Sequence, residues 1–408
     1  METVIKRCCG LDVHKKTVVA CVRVEETPGR VHRMVKTFET TTSSLLKLGD
    51  WLRLERVEVV AMEATGVLWK PVWNLLEGNF DLLLANAHHI KKLPGRKTDV
   101  KDSEWIAELL AHGLLPASFV PPAPLRELRD LTRMRVNHSD EAVRLYNRME
   151  KTLETCNIKL GSVASDLLGK SGRDMIAAIV AGTTDPAVLA ELACGRLRGK
   201  IPQLREALTG RVTEHHRFML GMYLQQWDFL AKRIEEVEER IERLMLPFKD
   251  EIERLTSIPG VGRIVAWTLV AEMGDMTAFP TPPQAASWAG VCPGNHESAG
   301  KRQSGRTPKG DVWVRRALNQ AAWAASRTKD TYLAAQFRRI ASRRGGKRAA
   351  VAVGHTILVI SWHLLHRKRT YHDLGGDFFD KLNSERTTKR LVKRLETLGH
   401  TVTLTDAA

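Results

Sequence analysis

Cysteine is scarce in this chain of 408 residues, and its placement excludes a disulfide framework. The six cysteines stand at positions 8, 9, 21, 156, 194 and 292, with no CxxC pair and no regular series of spacings. Such a pattern is typical of reduced, structural thiols in a cytoplasm. We therefore expect a cytoplasmic protein without disulfides.

Long apolar runs are absent as well. No stretch of about 20 apolar residues occurs, so we expect no membrane span. The opening segment, METVIKRCCGLDV, lacks the apolar region and cleavage site of a signal peptide. With 43% hydrophobic residues and neither internal repeats nor low-complexity tracts, the chain is predicted to form a soluble protein of two or three domains.

Acidic residues are nearly missing from one stretch of the chain. Residues 301–370 contain 17 lysines and arginines against two acidic residues, so almost the whole net charge of +16 lies there. A solvated basic surface is the simplest explanation of such an excess. Its concentration beside glycine-rich loops favours a polyanion, and we expect nucleic acid as the partner.

Residues 1–120 alternate between strand and helix patterns. The predicted strands are Ile5–Val13, Thr17–Val24, Val31–Phe38, Val57–Met62 and Asp81–Ala85. The predicted helices are Thr42–Leu54, Gly66–Leu76 and Ser103–His112. Periodicity alone supports an α/β domain, and the order of these elements is that of a RuvC-like (ribonuclease-H-like) fold.

After the proline-rich break at Val120–Pro124 the pattern becomes helical, and we place a helical, coiled-coil linker domain at residues 121–254. Its first helix is predicted over Leu125–Leu160. Further along, apolar residues recur at alternating steps of three and four, which is a heptad seam. The seam residues are Tyr223, Trp227, Leu230, Ile234, Val237, Ile241, Leu244 and Phe248. The seam predicts a helical partner, either within the chain or in another subunit.

A mainly α domain is predicted at residues 255–375, followed by a charged tail at residues 376–408. It begins with two helices joined by the turn Pro259–Gly262, which is a helix-hairpin-helix pattern. The amides of such a turn can hold a phosphate at the start of the second helix, although an ordinary helical hairpin has the same pattern. We expect Gly260, Gly262 and Arg263 to contact nucleic acid.

Four acidic residues are spaced as a metal site of a ribonuclease-H-like domain needs them. Asp12 ends the first strand, and Glu63 follows a later buried strand. Asp99 and Asp102 share the start of a helix. Carboxylates suit Mg²⁺ or Mn²⁺, and two such ions clamp the attacking and leaving oxygens of a phosphodiester. Each acid alone could be a turn former or a helix cap; the set of four predicts a metal site.

A glycine-rich basic loop, Val291–Asp311, carries Ser298 and Ser304. A serine attacks a phosphate when a base or a metal takes its proton, and His296 is the nearby base. From the pattern alone, both serines are more simply explained as hydrogen-bond donors of a phosphate-binding loop. The cations expected to contact nucleic acid, here and elsewhere, are Lys15, Lys16, Lys301, Arg302, Arg306, Lys309, Arg315 and Arg316.

Several segments together resemble the DEDD transposases of the insertion-sequence-110 group, to which the Piv/MooV DNA invertases are related. They are GLDVHK, MEATG, GRKTDVKD, IPGVGRIVAWTLVAEMGD and WAGVCPGNHESAGKRQSGRTPKGDVWVRRAL. The resemblance covers about residues 5–370. It implies a RuvC-like N-terminal domain, a coiled-coil middle and a C-terminal transposase domain.

The resemblance also implies a role for each site residue. The four acids of the family motif correspond to Asp12, Glu63, Asp99 and Asp102. The family loop His-Ser-Ser-Gly-Gly-Lys corresponds to residues 296–301, which puts the nucleophile at Ser298 and leaves Ser304 as the second choice. This chain departs from that loop at Glu297 and Ala299.

The activity implied by the resemblance is Mg²⁺-dependent DNA recombination through a phosphoserine link to DNA. A structured bridge RNA that pairs with target and donor DNA is an implied partner. A coiled coil between subunits would give a homo-oligomer, either a dimer or a tetramer. Two alternatives remain open: a RuvC-like nuclease or junction resolvase that uses water, and a non-catalytic nucleic-acid scaffold.

Overall fold

The computed structural model describes residues 2–86, 102–294, 296–382 and 384–405. Only the backbone is described at residues 296–298, 302, 303 and 386, and Asp99 lies outside the described residues. The chain divides into two compact units, residues 1–120 and 121–408. The finer boundaries expected at residues 254 and 375 stay predictions.

Unit 1 is built on a five-stranded mixed sheet with the strand order β3-β2-β1-β4-β5. The first three strands are antiparallel, whereas β4 runs parallel to β1 and β5 runs parallel to β4. The strands are β1 (Arg7–Val13), β2 (Thr17–Thr27), β3 (Arg30–Glu39), β4 (Val59–Glu63) and β5 (Asp81–Ala85). The helices are α1 (Thr42–Leu54), α2 (Trp69–Leu76) and α3 (Asp102–Ala111).

Helices cover both faces of this sheet. Because side chains alternate along each strand, the sheet contributes residues to two cores, one on each face. Leu11, Ala20 and Val60 belong to the core on the α1 and α2 face. Cys8 and Ala61 belong to the core on the opposite face, under α3. The predicted α/β arrangement of the N-terminal part is confirmed, and so is the mainly helical remainder.

Unit 2 contains one short hairpin, β6 (His296–Ser298) and β7 (Lys301–Ser304), among helices. The helices up to residue 288 are α4 (Ala123–Thr155), α5 (Leu160–Val163), α6 (Lys170–Val180), α7 (Pro186–Ala190), α8 (Ile201–Ala207), α9 (Glu214–Leu244), α10 (Lys249–Thr256), α11 (Arg263–Met273) and α12 (Pro282–Trp288). Those that follow the hairpin are α13 (Val312–Ala325), α14 (Tyr332–Arg344), α15 (Gly346–Arg367), α16 (Phe378–Leu382) and α17 (Ser384–Thr397).

The long helices α4 and α9 pack against each other within the chain and run antiparallel. Near one end of the pair, Arg135 of α4 donates to Glu238 of α9 at 2.7 Å. At the other end, Leu153 and Leu220 belong to the same core. The heptad seam on α9 therefore has a helical partner inside the chain, and pairing with another subunit stays a prediction.

Helix α15 is a weak exception to the expectation of no membrane span. By length and composition it could cross a membrane, but 44% of its most apolar window is buried inside the protein. Gly354 lies close to α13, where an added Cβ would be 3.3 Å from the Leu318 carbonyl oxygen. The Trp362 indole donates to the Phe279 carbonyl at 2.8 Å. These are the contacts of a core helix. A helix that packs into a protein core is apolar because its side chains are buried there.

Candidate functional site

The predicted site residues form two groups, one in each unit. In unit 1, Asp12, Glu63 and Asp102 lie at one end of the sheet, which we call the acidic edge. In unit 2, the backbone around Ser298 folds into a strand-turn-strand segment, residues 296–304, which we call the serine hairpin.

The acidic edge is produced by the register of two parallel strands. The last registered pair between β1 and β4 is Leu11 with Met62, so Asp12 and Glu63 follow as the next neighbours along the two strands. Adjacent strands lie about 4.8 Å apart. Side chains alternate, so Asp12 shares the sheet face of Gly10 and Glu63 shares that of Ala61.

Gly10 brings the third acid to this edge, because it lets α3 lie directly on β1. An added Cβ at Gly10 would be 2.3 Å from the Ser103 carbonyl oxygen and 2.4 Å from the Ala107 amide nitrogen. The other end of α3 lies at the beginning of β1, where the Ala111 carbonyl accepts the Val4 N–H at 2.8 Å. The helix therefore runs antiparallel to β1, and its first residue, Asp102, lies towards the end that carries Asp12.

Two of these carboxylates have a neighbour that orients them. The His14 imidazole lies 3.0 Å from Asp12, and the Thr65 hydroxyl donates to Glu63 at 3.2 Å. The Asp12 side chain is 22% exposed, so solvent and a ligand can reach it.

The donor chemistry of the acidic edge suits Mg²⁺ or Mn²⁺, because carboxylate oxygens are hard ligands. Within the part of the chain that the structure describes, however, no three His, Cys, Asp or Glu side chains form a group that could hold a metal ion. Asp99, the fourth predicted ligand, lies outside that part. The three described acids thus share one edge without closing a metal site by themselves.

The serine hairpin turns through Ala299 and Gly300, whose φ angles are +49° and +73°. Two successive positive φ angles are the mark of a type I′ turn, which fits the twist of a two-residue hairpin. Ser298 precedes this turn and pairs with Lys301 across it. The sequence predicted a basic loop, and the structure gives that loop a defined backbone with a lysine opposite Ser298.

Close backbone contacts fix the base of the serine hairpin. Gly290 and Gly310 touch, since an added Cβ on Gly310 would be 2.2 Å from the Gly290 nitrogen. The Gly294 N–H donates to the Arg306 carbonyl at 3.0 Å, and the Ser304 hydroxyl accepts the Arg306 N–H at 3.2 Å. Ser304, the alternative nucleophile, therefore takes part in holding the loop. Among the side chains that the structure describes between residues 299 and 310, the exposed cations are Lys301, Arg306 and Lys309.

A buried ionic cluster, which we call the anchor network, joins α4 and α11 to Asp311 at the end of the basic loop Val291–Asp311, which we call the serine loop. Glu272 on α11 is fully buried and receives two hydrogen bonds from Arg133 of α4, at 2.7 and 2.8 Å. Arg129 contributes a further ion pair at 3.0 Å. Arg133 also lies 3.7 Å from Asp311, which caps α13 by accepting the Val314 N–H at 2.8 Å.

The anchor network was missed by the sequence reasoning, although it leaves a signal. Glu272 is a lone acid in the apolar run RIVAWTLVAEM, where a charge needs a partner. Arg129 and Arg133 are four residues apart and so lie on one side of α4. Burial raises the pKa of the Glu272 carboxyl, while the hydrogen bonds from Arg133 oppose that rise.

Two residues predicted to contact nucleic acid have structural partners instead. At Gly260 (φ +88°) an added Cβ would be 2.4 Å from the Ala321 carbonyl oxygen, so this glycine serves the packing of the hairpin turn on α13. Arg316 makes two hydrogen bonds to Asp140, at 2.6 and 2.5 Å. These contacts explain why a glycine and an arginine stand at these positions without involving nucleic acid. Contact of Gly260 and Arg316 with nucleic acid stays a prediction.

Four further predicted contacts are exposed, whereas the Arg302 side chain lies outside the described part of the chain. Lys15 and Lys16 are exposed in the turn between β1 and β2, and Gly262 is exposed at the start of α11. Arg263 is exposed but pairs with Glu242 at 3.0 Å and lies over the Trp267 ring at 4.7 Å. Arg315 is half-buried and has no ion pair among the described residues.

Comparison with known proteins relates both groups of residues to one kind of protein. The family model DEDD_Tnp_IS110, described as "Transposase", matches residues 9–158. A second model, described as "Transposase IS116/IS110/IS902 family", matches residues 252–338. The first match contains the acidic edge and the second contains the serine hairpin.

Two relatives have similar names. A Pseudomonas aeruginosa protein named "Probable family 20 transposase" is 25% identical over 324 residues, which is 77% of this chain and 85% of the relative. A Coxiella burnetii protein named "Transposase for insertion sequence element IS1111A" is 32% identical over 148 residues, or 35% of this chain and 41% of the relative.

Proposed function

Because the chain belongs to the IS116/IS110/IS902 family of transposases, we propose that it recombines the DNA of an insertion sequence through a serine–phosphate intermediate. The observation that carries the proposal is the register of β1 and β4, which puts Asp12 beside Glu63 at the end where α3 begins. Ser298, one residue before a tight turn in a basic hairpin, supplies the nucleophile.

The carboxylates that would hold a divalent ion are Asp12, Glu63, Asp99 and Asp102. When bound, Mg²⁺ or Mn²⁺ polarises the phosphate and promotes loss of a proton from the attacking oxygen. His14 and Thr65 orient Asp12 and Glu63 through the hydrogen bonds described above. The first turn of α3 also stabilises the charge of Asp102, because helix N-termini favour anions.

Ser298 carries the transfer step. Its oxygen attacks phosphorus, a serine–phosphate ester forms, and the deoxyribose oxygen leaves with the electron pair of the broken ester bond. His296 is a candidate acceptor for the serine proton. Because one phosphate ester replaces another, a DNA hydroxyl can later reverse the step and join a new strand. Lys301, opposite Ser298 in the register, adds positive charge beside the phosphate.

DNA is the substrate of this reaction, and a structured bridge RNA of the same element is the proposed guide. The exposed side chains of Lys301, Arg306 and Lys309 would contact phosphates.

At least two subunits are needed, because two DNA ends must be cut in concert. Ile234 and Val237 on the seam of α9 are only half-buried within one chain and offer a surface for a second copy.

A denaturing gel of the DNA reaction tests the serine intermediate. We expect a DNA band that migrates with the protein and vanishes on proteinase treatment. Ser298→Ala should abolish the band, and Ser304→Ala, the matched control in the same hairpin, should retain it. Cleaved DNA without attached protein would favour the water-using nuclease. Metal-independent DNA binding with no product, even after all four acids are replaced, would favour the scaffold.

A further inference from the structure

Unit 2 contains a cavity of about 530 Å³ that the proposed chemistry does not use. It lies between the segment that enters α6 and the short 3₁₀ helix Gly195–Lys200, and both segments line it. The cavity falls within residues 159–251, which neither family model matches. Its volume is in the range of ligand-binding pockets, about 300–1,000 Å³.

Three exposed cations line this cavity. Lys170 is the first residue of α6, while Arg196 and Lys200 belong to the 3₁₀ helix. Lys170 and Arg196 have no acidic partner among the described residues, and Lys200 donates to the Val163 carbonyl at 3.3 Å. The one acid in the lining, Asp166, uses a carboxylate oxygen to accept the Leu168 N–H at 3.0 Å. The lining is therefore positive overall.

The buried Ser171 hydroxyl in the lining can donate a hydrogen bond to a ligand. Ser171 is 9% exposed, and its oxygen accepts the Cys194 N–H at 2.8 Å. Within the described part of the chain, the Ser171 hydroxyl proton has no acceptor of its own. The residue before α6 is Gly169, which has no side chain to cap the helix, so the first amides of α6 are available as well.

We infer that this cavity binds the phosphodiester backbone of a nucleic-acid strand. Cationic side chains, hydroxyl donors and first-turn amides are the groups that hold phosphate oxygens in proteins. The cations are exposed, which suits an extended strand better than a small anion that has to be enclosed. The choice of nucleic acid rests on the family membership and on the excess of cations over acids in the lining, and not on the serine chemistry.

Cys194 provides a direct readout, because it lines the cavity and is exposed. Four of the other cysteines, Cys8, Cys9, Cys21 and Cys156, are buried, and burial raises the pKa of the Cys8 thiol to about 12 and that of Cys21 to about 11. Pulse alkylation of the full chain with N-ethylmaleimide, followed by peptide mass spectrometry, measures the Cys194 rate alone. The probes are a 20-nucleotide single-stranded RNA, the DNA of the same sequence, and inorganic phosphate.

We expect a saturating oligonucleotide to slow alkylation of Cys194 about tenfold, as a bound strand that covers the cavity should. The triple variant Lys170→Gln, Arg196→Gln, Lys200→Gln should lose this protection and bind the strand more weakly. Its salt dependence should fall by roughly 0.7 per lost phosphate contact, a slope change of about 2 in all. The control is Arg198→Gln, which removes one charge from the same 3₁₀ helix at a residue that does not line the cavity.

Protection by RNA, by DNA or by both supports the inference and identifies the strand. It is overturned if no strand protects Cys194, if phosphate protects and the strands do not, or if Arg198→Gln weakens protection as much as the triple variant. Ser171→Ala should reduce the protection in part with an unchanged fold. Ser298→Ala should keep the protection in full, so a failure of the serine chemistry is distinguishable from a failure of this site.

Discussion

Ala299 is the residue at which the serine hairpin carries backbone strain. Its φ of +49° lies in the left-handed region, which costs an L-residue about 1–2 kcal/mol and costs glycine little. The family loop to which residues 296–301 correspond has glycine at this position, so this chain has an alanine where a glycine would adopt the same φ without strain. The strain lies next to the proposed nucleophile.

Replacing Ala299 with glycine should therefore stabilise the hairpin locally, by up to about 1 kcal/mol after the entropy of the freer unfolded chain is subtracted. Hydrogen exchange of the β6 and β7 amides measures the change as increased protection. The control, Ala177→Gly on the exposed face of α6, should have the opposite sign and destabilise by about 1 kcal/mol. Faster exchange in the Ala299→Gly hairpin would show that the turn is not strained.

Gly10 is the second residue on which the site depends, because it lets α3 reach the acidic edge. We predict that Gly10→Ala destabilises unit 1 by about 2–3 kcal/mol, since its methyl group would meet the α3 backbone. Gly49→Ala is the matched control: its Cβ would lie an ordinary 3.6 Å from Leu76 in a helix that gains from alanine. Urea unfolding measures both, and equal stability of the two variants contradicts the close approach of α3.

At the scale of elements, the anchor network holds α4, α11 and the end of the serine loop together. Glu272 has no access to solvent, so its charge depends on Arg133 and Arg129. Arg133→Met should cost about 2–3 kcal/mol, because breaking a buried ion pair leaves an uncompensated charge. This cost is below the value of about 3–5 kcal/mol that is usual for a fully buried pair, since Arg129 remains and Arg133 is 32% exposed.

The same substitution at an exposed pair provides the comparison. Arg233 and Glu236 on α9 are 49% and 44% exposed, and Arg233→Met should cost less than about 1 kcal/mol. Chemical denaturation of the two variants under identical conditions gives the difference. If Arg133→Met costs no more than Arg233→Met, the network does not bear on the stability of unit 2.

Local patterns were sufficient to predict individual elements. The helix Thr42–Leu54 begins and ends where its apolar spacing indicates, and Asp81–Ala85 is the predicted strand. The serine hairpin was predicted only as a loop, because its strands are short and consist of polar and charged residues that show no apolar alternation. Its form depends on the turn at Ala299 and Gly300, and alanine is not a residue that signals a positive φ.

At the scale of the whole molecule, the site depends on pairings that a single sequence does not contain. Asp12 and Glu63 were predicted as ligands from their places at strand ends, but their neighbouring positions follow from the register of two strands about fifty residues apart. The ion pair of Arg316 with Asp140 could not be predicted, because the two residues are 176 positions apart. The contact of Gly260 with α13 is also distant in sequence, so the helix-hairpin-helix pattern alone did not indicate it.

The proposed metal ligands lie in unit 1, whereas the cations proposed to contact phosphate at the serine hairpin lie in unit 2. Substitution of an acid should therefore affect catalysis and leave DNA binding intact. Asp12→Asn should abolish strand cleavage, because a neutral amide is a poor ligand for Mg²⁺. DNA affinity should stay the same or rise slightly, since one charge that repels phosphate is removed. Glu25→Gln, at an acid elsewhere in the same unit, should leave cleavage unchanged. A parallel loss of affinity and cleavage in Asp12→Asn would place Asp12 in binding.

The most direct test of the central claim is to identify the residue that becomes linked to DNA. The full-length protein is incubated with the ends of its element and Mg²⁺, the adduct is digested with nuclease and protease, and the modified peptide is sequenced by mass spectrometry. We predict a nucleotide-phosphate adduct on Ser298, absent when Mg²⁺ is chelated. Cleaved DNA without any adduct, or an adduct on Ser304, would contradict the assignment.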